Sequence, residues 1–210
     1  MELLRLNVAP VEPLRTLHSP PEPKEDLCQA SAHSPSLKYQ NEGGPSPADI
    51  AELFRSSMPG RIAVDAIWRF ADALIWNWLI AGTDAHAKNY SLLLSEDQVR
   101  LAPLYDIASA LPYDIHETKL KFAMKIGGDY QVSPIRNKWP EVARELGLDA
   151  SALIDRVRAM AAIAPDVFVD AAKDTAVVAL DRPLPSRLAD LVANRSVRCA
   201  RTVEDGAETI

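Results

Sequence analysis

The sequence predicts a mainly α-helical protein with one short β-hairpin in its middle. After residue 46, apolar residues recur at three- and four-residue steps, which is the period of helices with one buried face. Two short apolar runs, 92–94 and 99–101, flank the turn-forming residues "SEDQ", which is the pattern of two strands joined by a turn. With 210 residues, of which 48% are hydrophobic, the chain is long enough to bury a substantial core.

The first 47 residues are predicted to be irregular. Half of the 16 prolines lie here, among many Ser and Gly residues. Proline fixes φ and removes a backbone donor, so we expect little regular structure beyond a short helix around "EDLCQA".

Two helices are predicted next. "SPADIAELFRSS" has a capping serine, Ser46, followed by a proline in the first turn. A longer helix is predicted over residues 64–80, where eight apolar residues share one broad stripe, and Gly82 is expected to end it. The width of the stripe indicates a central core helix.

After the hairpin, "KLKFAMKIGGDY" is predicted to form a strand that ends at Gly127 and Gly128. His116 and Glu117, just before it, are interpreted as a solvent-facing turn. Three further helices are predicted over "WPEVARELG", "DASALIDRVRAMAAIAPDVFVDAAKDT" and "PLPSRLADLVANRSVRCARTV", with Asp149 capping the second.

Composition excludes several classes of protein. The net charge is −6 and no Lys/Arg-rich run is present, which disfavours direct binding of nucleic acid. Cys28 and Cys199 lie too far apart in the sequence for a metal-binding pair and form no disulfide framework, so both are expected to be buried or inert in a cytoplasmic protein. The apolar stretch "ADALIWNWLIAG" is shorter than the roughly 20 residues of a membrane span. We therefore expect no association with a membrane.

The stretch "GTDAHAKNYSLLL" places four polar side chains between the long helix and the hairpin: Asp84, His86, Lys88 and Asn89. A further acid, Asp106, follows the second strand of the hairpin. Because a hairpin returns the chain to its starting point, Asp106 is predicted to lie beside Asn89. Two carboxylates and one amide would then converge at one edge.

This grouping favours phosphoryl transfer. In that chemistry one Asp accepts the proton of the incoming hydroxyl, while Asn and a second Asp hold Mg²⁺ against nucleotide phosphates. Asp84 would be the base, and Asn89 and Asp106 the metal ligands. Lys88 would add positive charge near the phosphate, and His86 would lie at the floor of the site.

Each residue alone also has a simpler interpretation. Asp84 alone is a common turn former, and His86 alone a common hydrogen-bonding residue of loops. Lys88 alone could be a solvated charge, and Asp106 could cap a short helix over "IASAL". Taken together, the spacing of these residues favours a phosphoryl-transfer site over the separate interpretations.

The chain resembles the C-terminal lobe of the HipA family, the serine/threonine-kinase toxins of bacterial toxin–antitoxin modules. The resemblance rests on "KEDLCQA", "KYQNEGGPS", "WNWLIAGTDAHAKNYSLLL", "RLAPLYDIASALPY" and "KLKFAMKIGG", which occur in this order. It implies a protein-kinase-like lobe over residues 22–205 that uses ATP and Mg²⁺, with Asp84 as catalytic base. It also implies that nucleotide phosphates are lined by His86, Ala87, Lys88, Asn89, Tyr105, Asp106, Ile107 and Ala108.

The same resemblance implies partners. Members of this family phosphorylate aminoacyl-tRNA synthetases and are held by a DNA-binding antitoxin. No residue of this sequence identifies either partner here.

The family's other lobe has no counterpart in this sequence. We find no G-x-G-x-x-G loop and no candidate strand lysine before residue 22, so residues 1–21 are interpreted as an irregular N-terminal remnant and the N-lobe as absent. The lobe is accordingly expected to be inactive or weak alone. The alternative hypothesis is a non-catalytic module that binds an antitoxin or a partner kinase chain.

Overall fold

The computed structural model describes residues 23–95, 98–113, 115–134, 137–180 and 182–205. The predicted remnant at residues 1–21 lies outside them. Over the described ranges the fold is mainly helical. The helices are α1 (Leu27–Ala30), α2 (Pro47–Ser57), α3 (Gly60–Ile80), α4 (Trp139–Leu146), α5 (Ala150–Ala172), α6 (Thr175–Val178) and α7 (Leu184–Asp205).

Two small antiparallel sheets accompany the helices. The strands are β1 (Lys24–Asp26), β2 (Ser91–Ser95), β3 (Gln98–Leu101), β4 (Lys121–Ile126) and β5 (Asp129–Gln131). The first sheet has the order β1-β2-β3, and the second pairs β4 with β5.

The sequence predicted one hairpin, whereas the described residues form two hairpins and an additional edge strand, β1. The prediction of a single hairpin was therefore wrong. The predicted strand before Gly127 exists as β4, and the chain turns at Gly127 and Gly128 to form β5. Both glycines have positive φ, 56° and 75°, which residues with a Cβ rarely adopt. Strand β1 consists of "KED", whose three polar residues give no apolar pattern by which a strand could be predicted.

Helix α3 runs through the core, as the broad apolar stripe predicted. Its fully buried residues include Phe70, Ile75 and Leu79. It begins earlier than predicted and ends at Ile80, and the residue in left-handed conformation at its end is Ala81 (φ 53°) rather than Gly82.

Gly82 has a different structural reason to be glycine. A Cβ atom placed there would lie 2.2 Å from the side-chain oxygen of Asn77. The chain thus turns back closely over the last turn of α3.

The remaining predicted helices are confirmed as α2, α4, α5 and α7. The Ser46 and Asp149 side chains accept hydrogen bonds from the backbone N–H groups of Asp49 and Ala152, as expected for N-caps. The short helix predicted around "EDLCQA" is also present, as α1. Cys28 and Cys199 are both fully buried and free, as predicted.

Glu117 does not face solvent, contrary to the prediction. Its side chain is only 19% exposed and forms ion pairs with Arg195 at 2.8 Å and with Arg198. Arg195 is fully buried and also donates hydrogen bonds to the carbonyl oxygens of Trp78 (2.9 Å) and Val132 (2.6 Å). No local pattern in the sequence indicates that Glu117 is paired, because its arginine partners lie about 80 positions further along the chain.

The Glu117 ion pairs predict a specific dependence of stability on pH. Burial alone would raise the pKa of Glu117, but the hydrogen bond from Arg198 and the charges of both arginines lower it below the value of 4.5 for a free side chain. A lowered pKa in the folded state stabilises the protein above the pKa of the unfolded chain, and this contribution is lost as the pH falls through the folded value. In urea titrations, the difference in free energy of unfolding between the wild type and Glu117→Gln should shrink from pH 7 to pH 3. Glu52→Gln, which alters an exposed ion pair with Arg55, is the control and should show little difference at either pH.

Across the ranges that the structure covers, every helix is too short or too polar to cross a membrane.

Candidate phosphoryl-transfer site

The loop between α3 and β2 presents the predicted polar residues in a compact turn. The His86 N–H donates to the Asp84 carbonyl, and the Asn89 N–H donates to the His86 carbonyl, each at 2.9 Å. Residues Ala87–Asn89 form a 3₁₀ turn. Asp84 is exposed, whereas His86 and Asn89 are buried.

The hairpin brings Asp106 back to Asn89, as the sequence predicted. The Asn89 Nδ2 donates to the Asp106 Oδ2 at 2.7 Å across 17 residues of sequence. Asp106 has φ 55°, in the left-handed region that Asp tolerates better than most residues. Residues 107–111 form no helix in the structure, so Asp106 does not cap one and the alternative interpretation of this residue was wrong.

Tyr105 fastens the segment before Asp106 to the same loop. Its hydroxyl donates to the Lys88 carbonyl at 2.8 Å and lies 2.6 Å from the Ser91 hydroxyl. The Lys24 ammonium lies 5.7 Å from the centre of the Tyr105 ring, which suits a cation–π contact. Strand β1 therefore braces the Asp106 side of the site.

Asp84 is held from a different direction. The Tyr39 hydroxyl donates to the Asp84 Oδ1 at 2.7 Å, and the His86 Nε2 lies 4.0 Å from the same oxygen. The hydrogen bond to Asp84 raises the pKa of Tyr39 to about 12. Burial and the nearby charge of Lys38 lower the pKa of His86, which favours the neutral form of its ring.

The residues present fit a hard divalent cation with phosphate co-ligands. The Asn89 Oδ1 is buried and, among the described residues, accepts no hydrogen bond of good geometry, while the Nδ2 of the same amide donates to the Asp106 carboxylate. Magnesium prefers such oxygen atoms and usually takes only one or two carboxylates from the protein. Among the residues that the structure describes, no group of three His, Cys, Asp or Glu residues could hold a metal by itself.

A cleft between α3 and the segment after β3 reaches this pair. Its walls include four of the predicted site residues, namely Asn89, Tyr105, Asp106 and Ile107. The other predicted residues, Asp84, His86, Ala87, Lys88 and Ala108, do not line it. The structure thus groups the two candidate metal ligands in one cleft and places Asp84 at the opposite end of the loop.

Sequence reasoning missed two residues of this region. Asn77 lines the cleft and donates from Nδ2 to the Tyr90 hydroxyl at 3.2 Å, and its polar side chain within the apolar stripe of α3 was the available signal. Tyr39 contacts Asp84 from 45 positions away, and no local pattern marks it.

Comparison with known proteins identifies relatives of this chain. The family described as the HipA-like C-terminal domain matches residues 21–168. Y4mE of Sinorhizobium fredii strain NGR234, a protein proposed to be a kinase, is 32% identical over 174 residues, which are 82% of this chain and 40% of Y4mE. The serine/threonine-protein kinase toxin HipA of Shewanella oneidensis is 28% identical over 189 residues, which are 84% of this chain and 42% of that toxin.

A solved structure shares the fold. A chain from the complex of HipA, HipB and operator DNA of Shewanella oneidensis MR-1 superposes with a TM-score of 0.76 at 21% identity, covering 90% of this chain and 46% of that one. The present chain therefore spans somewhat less than half the length of these relatives.

Proposed function

This chain belongs to the HipA-like C-terminal domain family, and on that premise we propose that it is the catalytic lobe of a serine/threonine protein kinase. It would transfer phosphate from ATP to the hydroxyl group of a protein. The part of the relatives that this chain does not span would complete the nucleotide site, so transfer by the chain alone is expected to be weak.

The contact between Asn89 and Asp106 carries the proposal. An amide nitrogen and a carboxylate oxygen from distant parts of the chain meet at 2.7 Å beside a cleft, and the buried amide oxygen accepts no hydrogen bond of good geometry from the described residues. Asn89 and Asp106 would hold Mg²⁺, which when bound neutralises charge on the phosphates. In the structure the amide nitrogen faces Asp106, so the amide must rotate to present its oxygen alongside the carboxylate.

Asp84 would accept the proton of the attacking hydroxyl. Its side chain is 63% exposed, so a protein substrate can reach it, and one carboxylate oxygen is already fixed by Tyr39. A carboxylate can accept several hydrogen bonds, so binding of Tyr39 leaves capacity for the substrate hydroxyl.

We extend the proposal to partners by similarity. The solved relative is a complex with HipB and operator DNA, which supports a DNA-binding antitoxin as partner of this chain. The resemblance described above supports an aminoacyl-tRNA synthetase as protein substrate.

Phosphate transfer itself tests the proposal. The chain would be incubated with [γ-³²P]ATP, Mg²⁺ and a lysate of its host, alone and together with a polypeptide that covers the remaining length of the relatives. We expect labelling of a protein on Ser or Thr that increases when the second polypeptide is added. Absence of labelling under both conditions would contradict the proposed function and favour a non-catalytic interaction module.

Binding of Mg²⁺–ATP should also stabilise the chain. At a ligand concentration ten times the Kd, the free energy of unfolding should rise by about 1.4 kcal/mol, which thermal denaturation detects as an increase in Tm of a few degrees. Asp106→Asn should abolish the increase, since it removes the metal-binding charge while Asn still tolerates a positive φ. The control Asp155→Asn alters an exposed carboxylate on α5 and should keep it. An equal increase in the Asp106 variant would show that the nucleotide binds elsewhere.

A further inference from the structure

Tyr39 belongs to the Pro- and Ser-rich segment before α2, and its side chain contacts the candidate catalytic loop, residues 84–89. Its hydroxyl donates to the Asp84 Oδ1 at 2.7 Å. The Tyr39 ring packs edge-on against the His86 ring, with centroids 5.2 Å apart and an interplanar angle of 81°. One side chain thus contacts both the first and the third residue of the stretch 84–89.

The backbone on either side of Tyr39 holds the ring in place. The Lys38 carbonyl accepts a hydrogen bond from the Ala87 N–H at 3.2 Å, and the Tyr39 carbonyl accepts one from the Gly44 N–H at 3.0 Å. The Gln40 Oε1 accepts a hydrogen bond from the Lys125 N–H of β4 at 2.7 Å. The segment is therefore anchored to the catalytic loop on one side and to the second sheet on the other.

Gly44 makes this close approach possible. A Cβ at this position would lie 2.5 Å from the Leu37 carbonyl oxygen and 2.9 Å from that of Tyr39, both of which are backbone atoms that cannot easily move. The tight turn that orients Tyr39 thus depends on a glycine.

We propose that Tyr39 is a positioning residue that fixes the Asp84 carboxylate in the orientation needed to accept a proton. The proposal rests on the kinase function proposed above. Asp84 is mostly exposed, so without the phenol its side chain would exchange among staggered rotamers. A base that occupies the productive orientation for only part of the time is a slower base, because transfer requires near-attack geometry. The phenol remains protonated, and therefore a donor, over the whole physiological range because its pKa is about 12.

The direct test is the rotamer of Asp84, measured by Hα–Hβ scalar couplings in NMR spectra of the whole chain at pH 7. Tyr39→Phe removes the hydroxyl and keeps the ring against His86. The couplings should report a single χ1 rotamer in the wild type and averaging in Tyr39→Phe. The control Tyr113→Phe, which removes an exposed hydroxyl, should match the wild type. Unchanged couplings in Tyr39→Phe would overturn the proposal whether or not the chain is an active kinase.

A kinetic measurement separates this proposal from the proposed function. Where the wild type transfers phosphate, Tyr39→Phe should lower kcat roughly three- to tenfold and leave the KM for ATP unchanged. If Asp84→Asn abolishes transfer but Tyr39→Phe retains the wild-type kcat, the positioning role is excluded and the kinase function stands. If the wild type transfers no phosphate even with the complementary polypeptide, the kinase function fails, and the couplings alone decide whether Tyr39 orients Asp84.

Discussion

Phosphate transfer is expected to fall by about 10²- to 10⁴-fold when Asp84 is replaced with Asn, which is the usual contribution of a general base. The Asn side chain has nearly the same shape and can still accept the hydrogen bond from Tyr39, so the fold and the loop should be preserved. What is lost is the ability to take a proton from the substrate hydroxyl. Initial rates under saturating ATP, with the complementary polypeptide present, measure this effect.

Asp106→Asn should lower transfer by a comparable factor for a different reason, since it weakens the metal site while Asp84 remains. The control Asp155→Asn should have the wild-type rate. Transfer that survives either Asp84→Asn or Asp106→Asn at the wild-type rate would contradict the role assigned to that residue.

Arg195→Ala should lower the free energy of unfolding more than any other proposed substitution. The Arg195 guanidinium is fully buried and binds two backbone carbonyls as well as Glu117, which connects α7 to α3 and to the segment after β5. Arg195→Ala would remove the donor of both carbonyls and one of the two arginines that pair with Glu117, and we expect a cost of about 3–5 kcal/mol. Urea denaturation followed by circular dichroism measures this difference.

Arg198 provides a matched control. It binds the same carboxylate of Glu117, but its side chain is 52% exposed. Arg198→Ala should therefore cost less than about 1 kcal/mol. Equal losses of stability in the two variants would show that the burial of Arg195 and its hydrogen bonds to the two carbonyls do not add to the stability of the fold.

Much of the helical structure could be predicted from the sequence because helical periodicity and capping are local. Ser46 and Asp149 mark two helix starts through side chains that bind the next turn. The left-handed residue after α3 was expected at Gly82, because glycine is the usual residue in a left-handed conformation, but it lies one position earlier, at Ala81. Only the close approach of Gly82 to Asn77 shows why the glycine is one position further along.

The contact between Asn89 and Asp106 was also predictable, since a hairpin fixes which residues meet after the turn. Contacts that depend on tertiary packing could not be predicted from the sequence. Tyr39 reaches Asp84, and Arg195 reaches Glu117, across 45 and 78 positions that no repeating pattern connects. The second hairpin was missed for a related reason, because β5 has only three residues and is recognised as a strand only by its pairing with β4.

The most direct test of the metal site is paramagnetic broadening by Mn²⁺, which accepts the same oxygen ligands as Mg²⁺. In ¹⁵N-labelled chain with Mn²⁺ added at substoichiometric amounts in the presence of ATP, the side-chain amide signal of Asn89 should broaden first. The amide of Asn137, whose Oδ1 accepts a hydrogen bond from the Trp139 N–H, should remain sharp, and Asp106→Asn should protect Asn89 from broadening. If the Asn89 signal stays sharp at saturating Mn²⁺–ATP, or broadens equally in Asp106→Asn, these two residues do not share a cation.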